Sequence, residues 1–588
     1  MELYEFLEKN LGCMTAAGHP VAAWLKKNES RLTALREQIY FNNWGVMDIP
    51  ISGGQGIFNS MPPAAFYREW VRLEKPETSA TIVVGSNLGY GLNTLLQQLP
   101  ESHKVVVIEP DPARLGACLG MTDYTPFFES RRLFFLPPDK ELFLDILQYM
   151  DLQVFFGSIY LRVDVPSQQF GPEYSHWGRI FREMLEDFTV EMSTLRRRQD
   201  EMVGNEIANY ERAFNDGSVM RLANSAQGLS AVILGAGPSL KDFASGLKEC
   251  TSHALFTAGL QTMPALKKLG LKPHLCMALD YSRGMLRIYD RLDREWAKDV
   301  PLLYSTKVLP EVVDNYPGPT IPFWTVGGLA TSVLKEREYV LDAGGNVSVA
   351  LMRLLAWFGV SSFLLAGQDF SWKGESSHAE GHHSANKKKY DPRKHIKLKN
   401  LEGEEIITTS PYMAAMRDME RDAAGLGIPV YNLYGGGVNI RGAKPVSLDD
   451  AFVKGLLASA PGSMERFTTA LAAARQPAAK PVFDRRAPKW SSSIKNAGKR
   501  LEKLFKRPEK NQQEIHELME HMHIFLRQDP LYAPYLYNEI IDMAGLSRAK
   551  SRYAREDLSK FSKVTKRALA KIREVDRAVG DKSRTRAA

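Results

Sequence analysis

The ten residues Ala231 to Leu240, reading AVILGAGPSL, constrain the fold of this chain most, because an apolar strand runs straight into a glycine-bracketed turn and then a helix start. Gly235 and Gly237 lack Cβ atoms, so the backbone can turn sharply there and a ligand can come close to its amides. Pro238 suits a first helical position, and Ser239 adds a hydroxyl. With Ala236 between the glycines, the stretch predicts a phosphate pocket; the competing reading is a tight strand-to-helix turn that holds no ligand.

An earlier segment repeats the plan more loosely. The strand Thr81 to Val84 leads into Gly85, Gly89 and Gly91, then a helix through Leu95, then the apolar strand Val105 to Ile108, which ends at Glu109. The acid follows Gly85 by 24 residues, near the spacing at which a carboxylate reaches a ribose hydroxyl in dinucleotide or adenosylmethionine sites. GSNLGYG departs from GxGxxG, so a Rossmann-like scaffold without a ligand is the favoured reading of this unit.

At 588 residues the chain exceeds a single core, and about 150 residues per domain predicts roughly two to four domains. We divide it into residues 1–225, an α/β unit with a helical leader and a charged, solvated bridging helix; 226–450, a central α/β domain; and 451–588, a helical domain with a basic tail. The central part alternates helices with strands at Ala231 to Leu234, Ala254 to Thr257, His274 to Met277, Leu302 to Ser305, Ile321 to Thr325, Ser362 to Ala366 and Pro429 to Leu433. That alternation argues a parallel sheet covered on both faces, with ligands at the carboxyl ends of its strands.

Charge and cysteine content exclude some classes. From Ile541 onward there are fourteen Lys and Arg against six Asp and Glu, so the tail holds the whole net charge of +8 and the body is neutral. The tail has few aromatics beyond Tyr553 and Phe561, which disfavours nucleic acid as a partner. Cys13, Cys118, Cys250 and Cys276 lie too far apart for zinc or redox pairs and read as reduced core residues. No run of about 18 apolar residues and no cleavable leader is evident, so a cytoplasmic protein without membrane insertion is expected.

The polar residues at strand ends are the candidates for chemistry. Asp280 follows the third central strand and can accept from a ribose or base, or else cap the next helix. Gly344 and Gly345 lead into Asn346 and Ser348 at the mouth of an apolar helix, a second anion-friendly helix start. Gly367, Gln368 and Asp369 end the strand Ser362 to Ala366, and Gln with Asp is a usual pairing for sugar hydroxyls. The following polar loop, SWKGESSHAEGHHSANKKKYDPRKH, reads as a lid over the crevice. A metal on His378, His382 and His383 is the weaker reading, because a glycine intervenes and no matching acid is evident. Lys387 to Lys389 with Arg393 either neutralise a phosphate or are simply solvated.

With GAGPSL, the strand end ALD, GGNVSVA, and GQDFSW with a following His in place, the central part resembles the motility accessory factor family of flagellin glycosyltransferases. More distantly it is similar to bacterial sialyltransferases that use CMP-sialic acid. The resemblance implies a sialyltransferase-like Rossmann-type central domain between an N-terminal α/β domain and a C-terminal helical domain. It also implies transfer of a nonulosonic acid, pseudaminic or legionaminic in type, from a CMP-activated donor to Ser and Thr of flagellin. Gly235, Gly237 and Ser239 would then surround the donor phosphate, Asp280 would approach the nucleotide, Asn346 and Ser348 would flank the sugar, and Ala236, Gly259, Gly345 and Gln368 would complete the donor-binding set. Sialyltransferases carry asparagines where this chain has Ala236 and Gly259, and their base histidine falls where Thr408, Thr409 and Ser410 stand. Asp369 and His378 are therefore the catalytic candidates, with His378 placed to assist departure of CMP. No cofactor is required by this reading and a divalent metal is not indicated. A pterin diphosphokinase, methyl transfer by the first unit, and a non-catalytic flagellin-binding chaperone remain as alternatives.

Overall fold

The computed structural model describes residues 3–51, 54–149, 152–155, 158–382, 385, 389–548 and 552–580. Contacts divide the chain into two compact units. The first comprises Met1–Arg197, Ser492–Leu526 and Asn538–Arg567; the second comprises Arg198–Ser491, Arg527–Tyr537 and Ala568–Ala588. Both units draw on the C-terminal helices.

In the first unit a short antiparallel hairpin, β1 (Tyr40–Phe41) with β2 (Met47–Asp48), precedes a four-stranded sheet. Its strands are β3 (Ala80–Val84), β4 (Lys104–Ile108), β5 (Leu133–Leu136) and β6 (Ile159–Val163), all parallel in the order β5-β4-β3-β6. Every residue of β3 and β4 is buried, which is why both are apolar but for Thr81 and Lys104. Leu95, Leu115 and Leu119 pack on one face, and Phe143, Phe155 and Phe181 on the other.

The second unit contains β7 (Ser230–Leu234), β8 (Leu255–Gly259), β9 (Leu275–Ala278), β10 (Leu302–Ser305), β11 (Thr320–Thr325), β12 (Val340–Leu341) and β13 (Ser362–Ala366). An antiparallel hairpin, β14 (Ile396–Lys399) with β15 (Glu405–Thr408), comes next, followed by β16 (Val430–Leu433) and β17 (Lys444–Val446). Nine of these form one parallel sheet in the order β12-β11-β10-β9-β8-β7-β13-β16-β17. Alternate residues of each strand feed opposite faces: Ala231 and Ile233 join one apolar layer with Leu355 and Phe358, while Val232 and Leu234 join another with Leu247 and Phe256. The order reverses between β7 and β13, and at such a switch point the connections part and leave a crevice at the carboxyl ends.

The α/β class and all seven predicted central strands are present, with ends shifted by a residue or two. Four strands of the two parallel sheets and both antiparallel hairpins escaped the sequence reading. β12 has two residues and β17 is an edge strand with exposed Lys444 and Pro445, so neither carries an apolar run. β6 is half-buried throughout, and the short LFFL of β5 is ambiguous between strand and helix.

The bridging helix also differs from expectation. It runs over Glu173–Asp216, 44 residues, but its later part is not merely solvated. Asn205 and Asn209 are buried there and donate to the carbonyls of Lys307, Thr306 and Val308, and Glu206 accepts from Leu329 N–H at 2.6 Å. The four cysteines are free. Among the described residues no helix is long and apolar enough to cross a membrane.

Candidate functional site

The site grows from the two strands flanking the switch point. Past the end of β7 the chain turns through Gly235 to Ser239 into the helix Leu240–Lys248; past β13 it passes through Gly367, Gln368 and Asp369. These loops lock together. Gly235 N–H donates to Ala366 O at 2.7 Å and Gly237 N–H to Gly367 O at 2.9 Å. The Asp369 carboxylate accepts from Ser239 N–H at 2.8 Å and from Ser239 Oγ at 2.5 Å. A Cβ on Gly237 would lie 2.5 Å from Asp369 Oδ2, and one on Gly235 would lie 2.6 Å from Gln368 Nε2. The glycines are thus required by the chain's own strand-end loop. The sequence reading gave the amides of Gly235, Gly237 and Ser239 to a phosphate, whereas in the fold all three donate within the protein.

Asp369 is aimed at the turn by its neighbour. Phe370 adopts φ 46°, a left-handed conformation that costs a bulky residue on the order of 1 kcal/mol. Thr408 Oγ1 holds it by donating to Phe370 O at 2.7 Å, and Val438 N–H donates to Asp369 O at 2.9 Å. Burial pushes the Asp369 carboxyl above its ordinary range, and the two bonds from Ser239 act against that rise. With both oxygens engaged, Asp369 positions the turn; it does not present a free base.

The second helix start stands beside this lock. Asn346 caps the helix Val347–Trp357 by accepting from Ser348 N–H at 2.7 Å, and Ser348 Oγ accepts from Gln368 Nε2 at 2.9 Å. Ser348 and Gln368 are buried. Gly259 ends β8 against Val347, and Gly345 is exposed with its N–H 3.3 Å from Asp418. Asp280 stands exposed beyond β9 and accepts from Ser282 N–H at 2.8 Å. The structure does not tie Asp280 to the other candidates.

The loop read as a lid is laid across the turn over its described part. Ala379 N–H donates to Ala236 O at 2.7 Å, and Arg291 donates to His382 O at 3.0 Å. This loop carries His378. Its Nδ1 is 2.9 Å from Ser377 Oγ, its Nε2 is 3.2 Å from Tyr412 OH, and its ring stacks on His382 with centroids 4.3 Å apart. Tyr412, on the first turn of the helix Ser410–Gly425, has its phenol pushed upward by burial. The sequence reading missed Tyr412, although it lies only two residues past Ser410, in the region searched for a base. His383, Lys387 and Lys388 lie outside the described residues, and Arg393 pairs with Asp391 at 3.2 Å.

A cavity of about 570 Å³ bordered by Phe243 and Gly435 is lined by Asp242, Glu402, Glu404 and Glu405, with Lys373 as a lone cation. Four carboxylates against one ammonium repel anions.

Residues 204–375 match the family described as 6-hydroxymethylpterin diphosphokinase MptE-like. No curated protein matches the sequence. In structure the chain is similar to the MAf glycosyltransferase from Magnetospirillum magneticum AMB-1, with a TM-score of 0.63 at 16% identity over 98% of this chain and 96% of that one. The chain has the Maf glycosyltransferase fold.

Within this Maf fold the first glycine turn is closed. Glu109 is fully buried and accepts from Ser86 N–H at 2.6 Å, Ser86 Oγ at 2.8 Å, Asp111 N–H at 3.0 Å and Tyr174 OH at 2.7 Å. A Cβ on Gly85 would lie 2.6 Å from Ser167 Cβ. The carboxylate that the methyl-transfer alternative would give to a ribose is enclosed by its own unit, which removes the contact that adenosylmethionine binding would need.

Proposed function

We propose that this chain is a glycosyltransferase that moves a nonulosonic acid from a CMP-activated donor to Ser or Thr hydroxyls of flagellin in the cytoplasm. The observation that carries the reading is the end-to-end match to a MAf glycosyltransferase, together with an imidazole and a phenol meeting at the switch-point crevice. In the reaction the anomeric C–O bond to the CMP phosphate breaks, a bond to the acceptor hydroxyl oxygen forms, and the acceptor's O–H proton is released to water. Charge builds on the leaving phosphate and on the anomeric carbon, so stabilising those charges matters more than a strong base. His378, oriented through Ser377 and Tyr412, donates a hydrogen bond or proton to the departing phosphate. Asn346 and the Ser348–Gln368 pair offer polar groups to the sugar hydroxyls, and Asp369 holds the turn that carries them.

Titration of the full-length protein with CMP and with a CMP-activated nonulosonic acid tests the donor. Intact-mass measurement of flagellin from cells with and without the protein tests the acceptor. Binding of neither nucleotide, or unchanged flagellin mass, ends the reading. The match of residues 204–375 favours a diphosphokinase as the second reading. That chemistry needs carboxylates free to hold magnesium, yet Asp369 is engaged by Ser239 and Asp280 stands apart. Turnover of a hydroxymethylpterin with ATP would support it.

A further inference from the structure

The first unit contains a cavity of about 790 Å³ at the amino-terminal ends of β4 and β5, the end of the sheet opposite to the closed glycine turn. Its wall is cationic. Lys104 opens β4 and is only 8% exposed, yet among the described residues its ammonium makes no ion pair or hydrogen bond. Arg131 and Arg132, just before β5, lie on the same wall. Arg132 donates to Leu99 O at 2.7 Å and to His103 O at 3.4 Å, so carbonyls orient it, and the exposed Glu101 offsets part of its charge from a distance without an ion pair.

Burial, and then Arg131 and Arg132, lower the Lys104 pKa to about 8, which reflects like charges crowded together without a neutralising acid. Arg548, on the same cavity, is taken by Glu520 through bonds of 2.5 to 3.0 Å. Glu101 and Glu129 are exposed acids on the lining. Arg131 also sits at φ 52°, in the left-handed region that glycine fills more easily at a helix end. A strained arginine and an unpaired buried lysine do not stabilise the fold by themselves. Each becomes favourable when an anion enters.

We propose that this cavity binds a phosphate dianion, gripped by Lys104, Arg131 and Arg132, with Phe127 and Phe134 as apolar walls for an ester group. Three cations on one wall suit a dianion, and the volume is within the range of sites for small organic ligands. The site is separate from the His378 crevice and does not depend on the transferase reading.

Calorimetric titration of the full-length protein with inorganic phosphate and with phenyl phosphate, at low ionic strength, tests the proposal. The parent binds phosphate, and Lys104→Met and Arg131→Gly each weaken it by about tenfold. Arg131→Gly relieves the left-handed strain, so its melting temperature stays at or above the parent's and lost binding is not lost folding. Phenyl phosphate binding more tightly than phosphate, with the gain removed in Phe127→Ala, identifies an ester as the occupant; equal affinities identify the free ion. Absence of phosphate binding by the parent, or parental affinity in both cation variants, overturns the site.

Discussion

The two glycine turns of this chain use one device and reach opposite ends. In each, a carboxylate beyond a neighbouring strand accepts from both the N–H and the hydroxyl of a serine in the turn: Glu109 from Ser86, and Asp369 from Ser239. In the first turn Tyr174 and Ser167 fill the remaining space, so the unit is closed. Across the second, the loop after β13 lies over the turn through Ala379 N–H to Ala236 O and brings His378 to Tyr412, while Gln368 donates to Ser348. A glycine turn at a strand end therefore does not make a ligand site. What stands around the locked turn decides it, and the phosphate contact that glycine motifs bring to mind is replaced here by a carboxylate of the chain itself.

The sharpest test of the contrast lies in activity. His378→Ala is expected to lower transfer by about a hundredfold or more while leaving the melting temperature unchanged, measured by turnover of a CMP-activated donor beside a thermal melt. Tyr412→Phe removes one partner of the ring and lowers transfer by about tenfold, with a shifted pH profile. A melt that falls in step with activity would make the pair structural, and the two turns would then be alike.

The locks themselves come next. Asp369→Ala leaves the buried Ser239 N–H and hydroxyl without an acceptor and should destabilise the protein by about 3 kcal/mol, and Glu109→Ala should cost at least as much because it strands four donors. Chemical denaturation compares them. A neutral result at Asp369 would mean that the second turn relaxes freely, in conflict with the tight packing at Gly237.

Burial raises both carboxyls above their ordinary range, and Glu109 gives a defined pH window. Burial pushes Glu109 up to about 7, against an ordinary value of 4.5. Between these values the folded chain keeps a proton that the unfolded chain has lost, so stability falls as pH rises from about 4.5 to about 7 and amounts to about 3 kcal/mol in total. Glu109→Gln cannot ionise, so the pH dependence of its melting should be shallower than the parent's over that window. Parallel curves would remove the contribution of Glu109.

The smallest effect separates required glycines from tolerant ones. Gly237→Ala drives a methyl against Asp369 and Gly367 and is expected to cost about 2 kcal/mol. Gly259→Ala meets only the tip of Val347 at 2.9 Å and is expected to cost under about 1 kcal/mol. Equal losses in denaturation would blur the distinction.

Much of the fold was legible because burial on both faces forces continuous apolar runs. β7, β8, β9, β10, β11, β13 and β16 all announce themselves so, whereas the edge strands β12 and β17 lack that signal. The candidates were legible only as positions: Gly235, Ser239, Gln368 and Asp369 fall just past strand ends, Ser348 at a helix start and His378 on the loop that crosses the turn. Their roles were not legible. Asp369 locks Ser239 across 130 residues and Tyr412 meets His378 across 34, and neither distance has a local pattern. Local chemistry along the chain determined which segments become strands, turns and helix starts, because propensity and periodicity act over a few residues. What comes to stand around each turn was decided only by tertiary packing, because it depends on which distant side chains and loops arrive to occupy the same space.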